Sequence, residues 1–359
     1  MGRNSVRTFP RSSWRLTERT TRFVIGMAVA VTVALIGSFI HPPYVINRAG
    51  PAVNTLGDLG GTAIIEVPAD DSYPTSGALS FTTVAQFGGP GFEINVWDLL
   101  AGVLDPEAEV VDRDAVFAPD MTRQELENAT NAQMAGSQNS AEAVVFEKLG
   151  YAQKAVVRSV GADGPAHGKL RENDIITAVS GERVTRTAQV SELIQKADPN
   201  KPVAITVLRA GRDAVVEVPT TPAQGRRIIG VGLEAVFDAA PKVTINAGHV
   251  GGPSAGMMFA LGVYDKLTPG QLTGGASIAG TGTMGYDGTI GPIGGIEHKM
   301  VGARRDGATW FLSPEKNCPQ VSGNVPAGLS VVRVSTFTEA VDAVEAIAAG
   351  TGDKLPTCG

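Results

Sequence analysis

Histidine and cysteine are scarce in this sequence, with four and two residues among 359. None of them has the spacing of metal ligands, so we expect no bound metal and no cofactor. Positive charge is not in excess either, because 30 basic residues face 36 acidic ones and the net charge is −6. A chain that is acidic overall gives no electrostatic reason to expect nucleic acid as a partner.

The N-terminal region predicts a membrane anchor. Six arginines and one acid, Glu18, occupy residues 1–22, and residues 23–40 then run without a charge. An apolar run of this length is about the minimum for a membrane-spanning helix, and the preceding arginines favour a cytoplasmic N-terminus. We therefore predict a cytoplasmic basic tail (1–22), a single-pass signal-anchor (23–40) and an extracytoplasmic remainder. A cleaved signal peptide and a buried core helix are the alternatives, although no A-x-A-like cleavage site follows the run.

The two cysteines, Cys318 and Cys358, both fall on the predicted outer side of the membrane. Disulfides persist in such compartments, and two cysteines allow one internal pairing, which would tether the C-terminal tail to a loop. Two free buried thiols are the alternative.

The remainder alternates between strand and helix patterns. Between residues 41 and 149 we predict strands at 63–67 and 79–84, a short helix at 97–103 and a longer helix at 122–149. Between residues 150 and 222 the pattern is that of a small β-rich module. Its predicted elements are strands at 155–160 and 175–179, a helix at 189–197, and a hairpin formed by 203–209 and 214–218.

The β-rich module resembles a PDZ domain of the bacterial type, on the stretch GPAHGKLRENDIITAVSGERV (164–184) and the later hairpin VLRAGR (207–212). The resemblance implies that an extended peptide adds to a sheet edge, with its carboxylate held by the amides of an apolar-Gly-apolar loop. We assign that loop to Leu149, Gly150 and Tyr151, with Val190 and Leu193 lining the groove. The alternative is that these apolar side chains only fill the core.

Ser254 is a candidate nucleophile. A Gly-Gly-Pro turn leads into this serine, and Ala255, Gly256 and an apolar helix follow it. Such a turn exposes the hydroxyl, leaves room for substrate, and lets the N–H groups at the helix start face a developing oxyanion. The alternative is an ordinary N-cap, since serine is common in that position.

Lys299 is the candidate base. It follows a Gly- and Thr-rich segment (280–291) and the sequence Pro-Ile-Gly-Gly (292–295), and it lies in the first turns of a predicted helix. A lysine near a helix N-terminus is mildly unfavourable because of the helix dipole. The alternative is a solvated surface charge, which is also our interpretation of the neighbouring His298.

These two segments resemble the proteolytic domain of the Lon family, over about 110 residues and several motifs in the same order. The matching motifs are GPSAG (252–256), PIGG (292–295) with Lys299, AR (303–304) with Gly307, and PEKN (314–317). The resemblance implies that Ser254 is the nucleophile and Lys299 its base, with Thr281, or alternatively Thr283, supporting the lysine. It also implies a ribosomal protein S5 domain 2-like fold, polypeptide substrates and a ring-shaped homo-oligomer such as a hexamer.

A lysine base must be neutral, so the resemblance also demands a lowered pKa for Lys299. Burial disfavours the charged amine, and apolar neighbours such as Ile293, Ile296 and Met300 could supply the desolvation.

The whole chain therefore resembles the membrane-bound PDZ–Lon peptidases. We predict an α+β chain with four parts after the anchor: residues 41–149, a PDZ domain (150–222), a Lon-type proteolytic domain (226–350) and a tail (351–359). The strands at 63–67 and 79–84 are candidates for the protease sheet, which would make the PDZ module an insertion.

The predicted activity is that of an ATP-independent serine endopeptidase at the outer face of a bacterial cell membrane. The segment from Gly164 to Leu170 is the nearest match to a phosphate-binding loop, but its spacing is wrong and no Ser or Thr follows the lysine. The alternatives are an inactive, membrane-tethered peptide-binding scaffold, a secreted enzyme whose anchor is removed, and a small-molecule kinase with a related phosphate-binding turn.

Overall fold

The computed structural model describes residues 17–223, 225–248 and 250–358. Most of the predicted basic tail therefore lies outside the described residues. The chain forms two compact units, of which the first comprises the part up to Ile46 together with Gln86–Asp120, and the second Asn47–Ala85 together with the part from Met121 onward.

The described residues form helices and strands along the whole chain, so the fold is α+β. The helices are α1 (Glu18–Phe39), α2 (Val96–Leu104), α3 (Arg113–Val116), α4 (Arg123–Lys148), α5 (Thr187–Lys196), α6 (Gly256–Leu267), α7 (Ile296–Arg305), α8 (Cys318–Val321) and α9 (Phe337–Ala348). The strands are β1 (Tyr44–Asn54), β2 (Asp58–Leu59), β3 (Thr62–Ala63), β4 (Ile65–Glu66), β5 (Ala78–Phe87), β6 (Glu109–Asp112), β7 (Gln153–Val160), β8 (Ile175–Val179), β9 (Glu182–Arg183), β10 (Val203–Arg209), β11 (Arg212–Val218), β12 (Thr221–Ala223), β13 (Arg226–Ile228), β14 (Val231–Phe237), β15 (Thr244–Ile245), β16 (Ser277–Gly280), β17 (Thr283–Met284), β18 (Ile290–Gly291), β19 (Trp310–Pro314) and β20 (Ser330–Val334).

In the first unit, α1 is a 22-residue helix with a mean hydropathy of 2.0 over its most apolar stretch. Thr17 caps its start, and its side chains are almost all exposed. By length and composition this helix could cross a membrane. Trp97 of α2 packs against Gly37 and donates a hydrogen bond to the carbonyl of Ala34 at 3.0 Å.

Within the second unit, six antiparallel strands form the sheet of the β-rich module: five follow the order β11-β10-β8-β7-β14, and the short β9 pairs with β8. Helix α5 packs against this sheet because Val190, Leu193 and Ile194 share its buried face. Strand β14 lies beyond the predicted end of the module at residue 222, and it pairs with β7 along its whole length. This places β7 in the interior of the sheet and β14 at its edge.

The other sheet of the second unit is built from segments on both sides of the β-rich module. Strands β20, β19, β16 and β5 are neighbours in that order and run parallel. Strand β4 pairs with β15, so that Ile65 lies opposite Ile245. The predicted strands at 63–67 and 79–84 therefore pair with strands of the 226–350 region. Helix α6, which is almost wholly buried, packs with α4 in the core beside this sheet.

Candidate active site

The turn before α6 presents Ser254 half-buried, with Ala255 rather than Ser254 at the N-cap position. The alternative of an ordinary capping serine is therefore wrong. Helix α4 holds this turn at two points: the N–H of Gly252 donates to the carbonyl of Thr130 at 3.1 Å, and the hydroxyl of Ser137 donates to the carbonyl of Pro253 at 3.0 Å. The backbone just before the serine is thus tied to a helix more than a hundred residues away in sequence.

Lys299 lies in the second turn of α7 and is 3% exposed, which rules out the alternative of a solvated surface charge. Its Nζ atom lies 2.8 Å from the Oγ of Ser254, 3.0 Å from the Oγ1 of Thr281 and 3.1 Å from the carbonyl oxygen of Thr82. These three partners are uncharged oxygens. Burial lowers the pKa of Lys299 from about 10.5 to about 8.

Thr281 is fully buried and joins the two predicted catalytic residues. Its hydroxyl donates to the main-chain carbonyl of Ser254 at 3.0 Å and accepts from Lys299. The N–H of Gly282 donates to the same carbonyl at 2.8 Å. Of the two candidate threonines, Thr281 is therefore the one bonded to Lys299. Thr283 lies on β17, in register with Gly291 of the neighbouring strand.

Two contributors to the site carried no signal in the sequence. The carbonyl of Thr82 belongs to β5, and a backbone acceptor on a distant strand leaves no motif. Ser137 is buried on α4, and a single serine within a helical pattern does not indicate a functional role. His249, which precedes the turn that presents Ser254, lies outside the described residues. No group of three or more His, Cys, Asp or Glu side chains that could hold a metal occurs in the described part of the chain.

Cys318 and Cys358 form a disulfide with their Cα atoms 4.8 Å apart, which joins the C-terminal tail to the start of α8. The neighbouring Asn317 accepts a hydrogen bond from the N–H of Ile293 at 3.0 Å and donates to its carbonyl at 2.8 Å. Because Ile293 belongs to the turn that starts α7, this contact connects the disulfide-bonded segment to the helix that carries Lys299.

A second candidate site is an open cavity of about 430 Å³ between β14 and α5. Its lining consists of Ser159, Gly161, Val190, Ser191, Ile194 and residues 227–233. The segment Ile229-Gly230-Val231 enters the edge strand here, and Gly230 has a φ of +73°, a conformation that favours glycine. Nη1 of Arg227 is buried without a hydrogen-bond partner, whereas Nη2 donates to carbonyls at the end of α5.

The predicted peptide-binding loop at Leu149, Gly150 and Tyr151 is not supported. The N–H groups of Gly150 and Tyr151 donate to the carbonyls of Glu147 and Phe146, so they end helix α4. The ring of Tyr151 packs edge-on against Phe146, with centroids 5.5 Å apart. The loop also leads into β7, which is flanked on both sides and offers no free edge. Of the two predicted groove residues, Val190 lines the cavity and Leu193 packs in the core.

Comparisons with known proteins match two regions of the chain. Residues 239–349 match the Lon protease (S16) C-terminal proteolytic domain. Residues 123–220 match the PDZ domain. The chain thus contains a region that matches the PDZ domain and a region that matches the S16 proteolytic domain.

The curated relatives are Lon proteases. Lon protease 2 of Herpetosiphon aurantiacus is 38% identical over 91 residues, which cover 24% of this chain and 11% of the relative. The Lon protease of Frankia alni is 33% identical over 123 residues, covering 32% and 14%. The match to Lon protease of Buchnera aphidicola is longer, with 27% identity over 167 residues, covering 45% of this chain and 19% of that protein. The chain thus spans only a small part of these relatives.

Among solved structures, the PDZ domain of an SdrC-like protein from Listeria monocytogenes is 23% identical and has a TM-score of 0.21. The match covers 22% of this chain and 85% of that one.

Proposed function

We propose that this protein is an ATP-independent serine endopeptidase, anchored in the membrane, in which Ser254 is the nucleophile and Lys299 the general base. The observation that carries the proposal is the 2.8 Å distance between Nζ of Lys299 and Oγ of Ser254, with the lysine buried and no carboxylate among its hydrogen-bond partners. A buried amine without a counter-charge loses its proton more readily than an amine in water, and the neutral form is the one that can accept a proton.

The hydrogen bonds suit a neutral amine. A neutral lysine has two N–H bonds and one lone pair, so it can donate to Thr82 and Thr281 while accepting from the hydroxyl of Ser254. When Oγ attacks the peptide carbonyl, its proton moves to Nζ, and the ammonium passes it to the leaving amine. Water then hydrolyses the acyl-enzyme by the reverse sequence of proton transfers. Thr281 fixes the position of the Lys299 amine relative to the main chain of Ser254, because its hydroxyl forms hydrogen bonds with both.

We propose that substrates are recruited through the cavity between β14 and α5. An extended peptide would add to β14 as a further strand, because this strand is at the sheet edge. Val190 and Ile194 would contact its side chains, and the backbone around Gly230 would face its end. We propose this groove, rather than the loop at 149–151, as the peptide-binding site, because strand β14 has a free edge.

The cellular context is also a proposal. Helix α1 is long and apolar enough to serve as the anchor, and the arginines before it favour a cytoplasmic N-terminus with the catalytic part outside. ATP independence is supported by the segment from Gly164 to Leu170, which lies in turns and lacks the residues of a phosphate-binding loop. The ring-shaped homo-oligomer rests on the family resemblance alone.

The decisive test uses the full chain in detergent and a reduced, unfolded protein as substrate, without ATP. Wild type should cleave it, and Ser254→Ala and Lys299→Ala should not. Thr283→Ala is the matched control, because this threonine lies beside the site without bonding to Lys299, and it should retain most activity. Cleavage by Ser254→Ala at the rate of wild type would refute the assignment. If wild type binds peptides but cleaves nothing, the tethered-scaffold alternative is favoured.

A further inference from the structure

Helix α2 is apolar on two sides. On one side Gly102 is buried, and a Cβ atom at this position would lie 2.9 Å from the side chain of Ile46. The other side is open, since Leu100, Val103 and Leu104 are 48%, 65% and 73% exposed. Their spacing of three and four residues places them in one stripe along the helix. This apolar stripe has no protein partner among the described residues of unit 1.

The stripe adjoins the apolar helix α1. Trp97 lies on the same side of α2 as Leu100 and Leu104, at the i, i+3 and i+7 positions. Its ring packs against Gly37 of α1, where a Cβ atom would lie 2.7 Å from the indole, and its Nε1 donates to the carbonyl of Ala34 at 3.0 Å. The side chains of α1 are almost all exposed as well. The open faces of the two helices therefore form one continuous apolar surface.

The length of the apolar run sets the depth of α2. As a helix, residues 23–40 measure about 27 Å, whereas the hydrocarbon core of a bilayer is about 30 Å thick. The run has no length to spare, so an α1 that spans the core must have its C-terminal end at the core's edge. Ala34 is five residues before the end of α1 at Phe39, which is about 8 Å along the axis. The ring of Trp97 then lies inside the lipid, at the depth where interfacial helices bury their apolar faces.

The charges of this region exclude docking through anionic headgroups. Residues 86–120 contain eight acids and one basic side chain, Arg113. Within α2 the one charged residue is Asp98, and its carboxylate accepts from the N–H of Asn95 in the capping box at the helix start. A surface that meets lipid here does so through its apolar side chains, and the contact should form on uncharged as well as on anionic lipids.

We propose that the exposed stripe of α2 is a second membrane contact, embedded in the leaflet into which α1 emerges on the catalytic side. The inference rests on the proposed membrane anchor and is independent of the proposed peptidase chemistry. With α1 alone, the first unit could rotate freely about the axis of its anchor. With α2 in the lipid as well, one face of this unit is held against the bilayer.

The test places a fluorophore on the stripe. The full chain with Leu104→Cys is labelled and reconstituted in phosphatidylcholine nanodiscs. The two native cysteines are bonded to each other and do not react with the label. Quenching is measured with a lipid that carries a nitroxide on its acyl chain close to the headgroup, and separately with iodide in the buffer.

Glu107→Cys, labelled in the same way, is the matched control. Glu107 is exposed and charged, and it lies in the turn that follows α2. The ratio of nitroxide quenching to iodide quenching should be about threefold or more higher at position 104 than at position 107. The emission at position 104 should also shift to shorter wavelength, because the label there is surrounded by hydrocarbon.

The outcomes separate this inference from the anchor on which it rests. If alkaline carbonate releases the full chain from cell membranes, α1 is not an anchor and both fail. If the chain stays in the membrane but iodide quenches both labels equally, the stripe faces water and only the role of α2 is overturned. If neither quencher reaches the label at position 104, protein covers the stripe, as in contact with a second copy of the chain, and the lipid contact is again overturned.

Discussion

The PDZ domain and the proteolytic domain each contain a buried ionisable side chain, Asp174 and Lys299, whose surroundings act in opposite ways. In the PDZ domain, Asp174 is 1% exposed and Arg209 bonds both of its carboxylate oxygens at 2.7 Å, with the N–H of Arg171 adding a third bond. Burial alone would raise the pKa of Asp174, but these hydrogen bonds outweigh it and the pKa is lowered. In the proteolytic domain, Lys299 has only uncharged oxygens as hydrogen-bond partners, and burial lowers its pKa to about 8.

The difference in hydrogen-bond partners indicates different roles for Asp174 and Lys299. A buried carboxylate with a bidentate arginine stays ionised and serves the structure of the module. A buried amine without a counter-charge is easily deprotonated and can exchange protons with a neighbour. The predictions below test this contrast, beginning with the largest expected effect.

Lys299→Met should lower the rate of cleavage by about four to six orders of magnitude. The free energy of unfolding should stay unchanged or increase. Methionine has a similar length and needs no hydrogen-bond partner, so it can fill the buried space of the amine. Rates on an unfolded protein and thermal unfolding of the same preparation check both parts. A Lys299→Met protein that unfolds early would mean that the amine is structural, like Asp174.

Arg209→Met should act on stability alone. It leaves the carboxylate of Asp174 buried without its ion-pair partner, which costs about 3–5 kcal/mol. The measurement is denaturant unfolding, followed by the rate on a short peptide below the transition. The paired replacement of Asp174 by Asn and Arg209 by Met should recover part of the loss. A marked fall in the rate per folded molecule would contradict the division of roles.

The rate should depend on pH through Lys299. Because the base must be neutral, the rate should rise about tenfold per pH unit below a pKa of about 8 and then level off. The folded chain also binds this proton less tightly than the unfolded chain does, so the contribution of Lys299 to the free energy of unfolding increases between pH 8 and 10.5. A rate that is flat between pH 6 and 9, with the chain folded throughout, would exclude Lys299 as the base.

Ser137→Ala should lower kcat by about tenfold with little change in KM. It deletes the hydrogen bond that α4 makes to the carbonyl of Pro253, so the nucleophile loses part of its positioning. Ser140→Ala is the control, because the hydroxyl of Ser140 bonds carbonyls of its own helix. Equal effects of the two variants would show that α4 stabilises the fold without orienting Ser254.

The smallest effect is expected in the PDZ groove. Ser191→Trp should obstruct the cavity and raise KM several-fold for substrates with an exposed tail, with kcat on short peptides unchanged. Glu192→Trp, on the exposed neighbour outside the lining, should behave like wild type. If both variants retain the wild-type KM for tailed substrates, recruitment does not use this groove.

Much of the fold could be predicted from sequence because its signals are local. Strand β8, strand β10 and helix α4 lie within one or two residues of their predicted bounds. The loop predicted at 149–151 is less local, because its role depends on where the following strand lies in the sheet. The apolar-Gly-apolar pattern also occurs at 229–231, and only the strand order shows which copy precedes a sheet edge.

By itself, the sequence determined the motifs around Ser254 and Lys299, and through them the choice of these two side chains. Only the tertiary structure decided what surrounds them. In the folded chain Lys299 is buried, its amine lies 3.1 Å from the carbonyl of Thr82, and α4 packs against the turn that precedes Ser254. The physical reason is that burial and backbone hydrogen bonds depend on segments far apart in the chain. Such contacts leave no spacing or composition in the sequence from which they could be read.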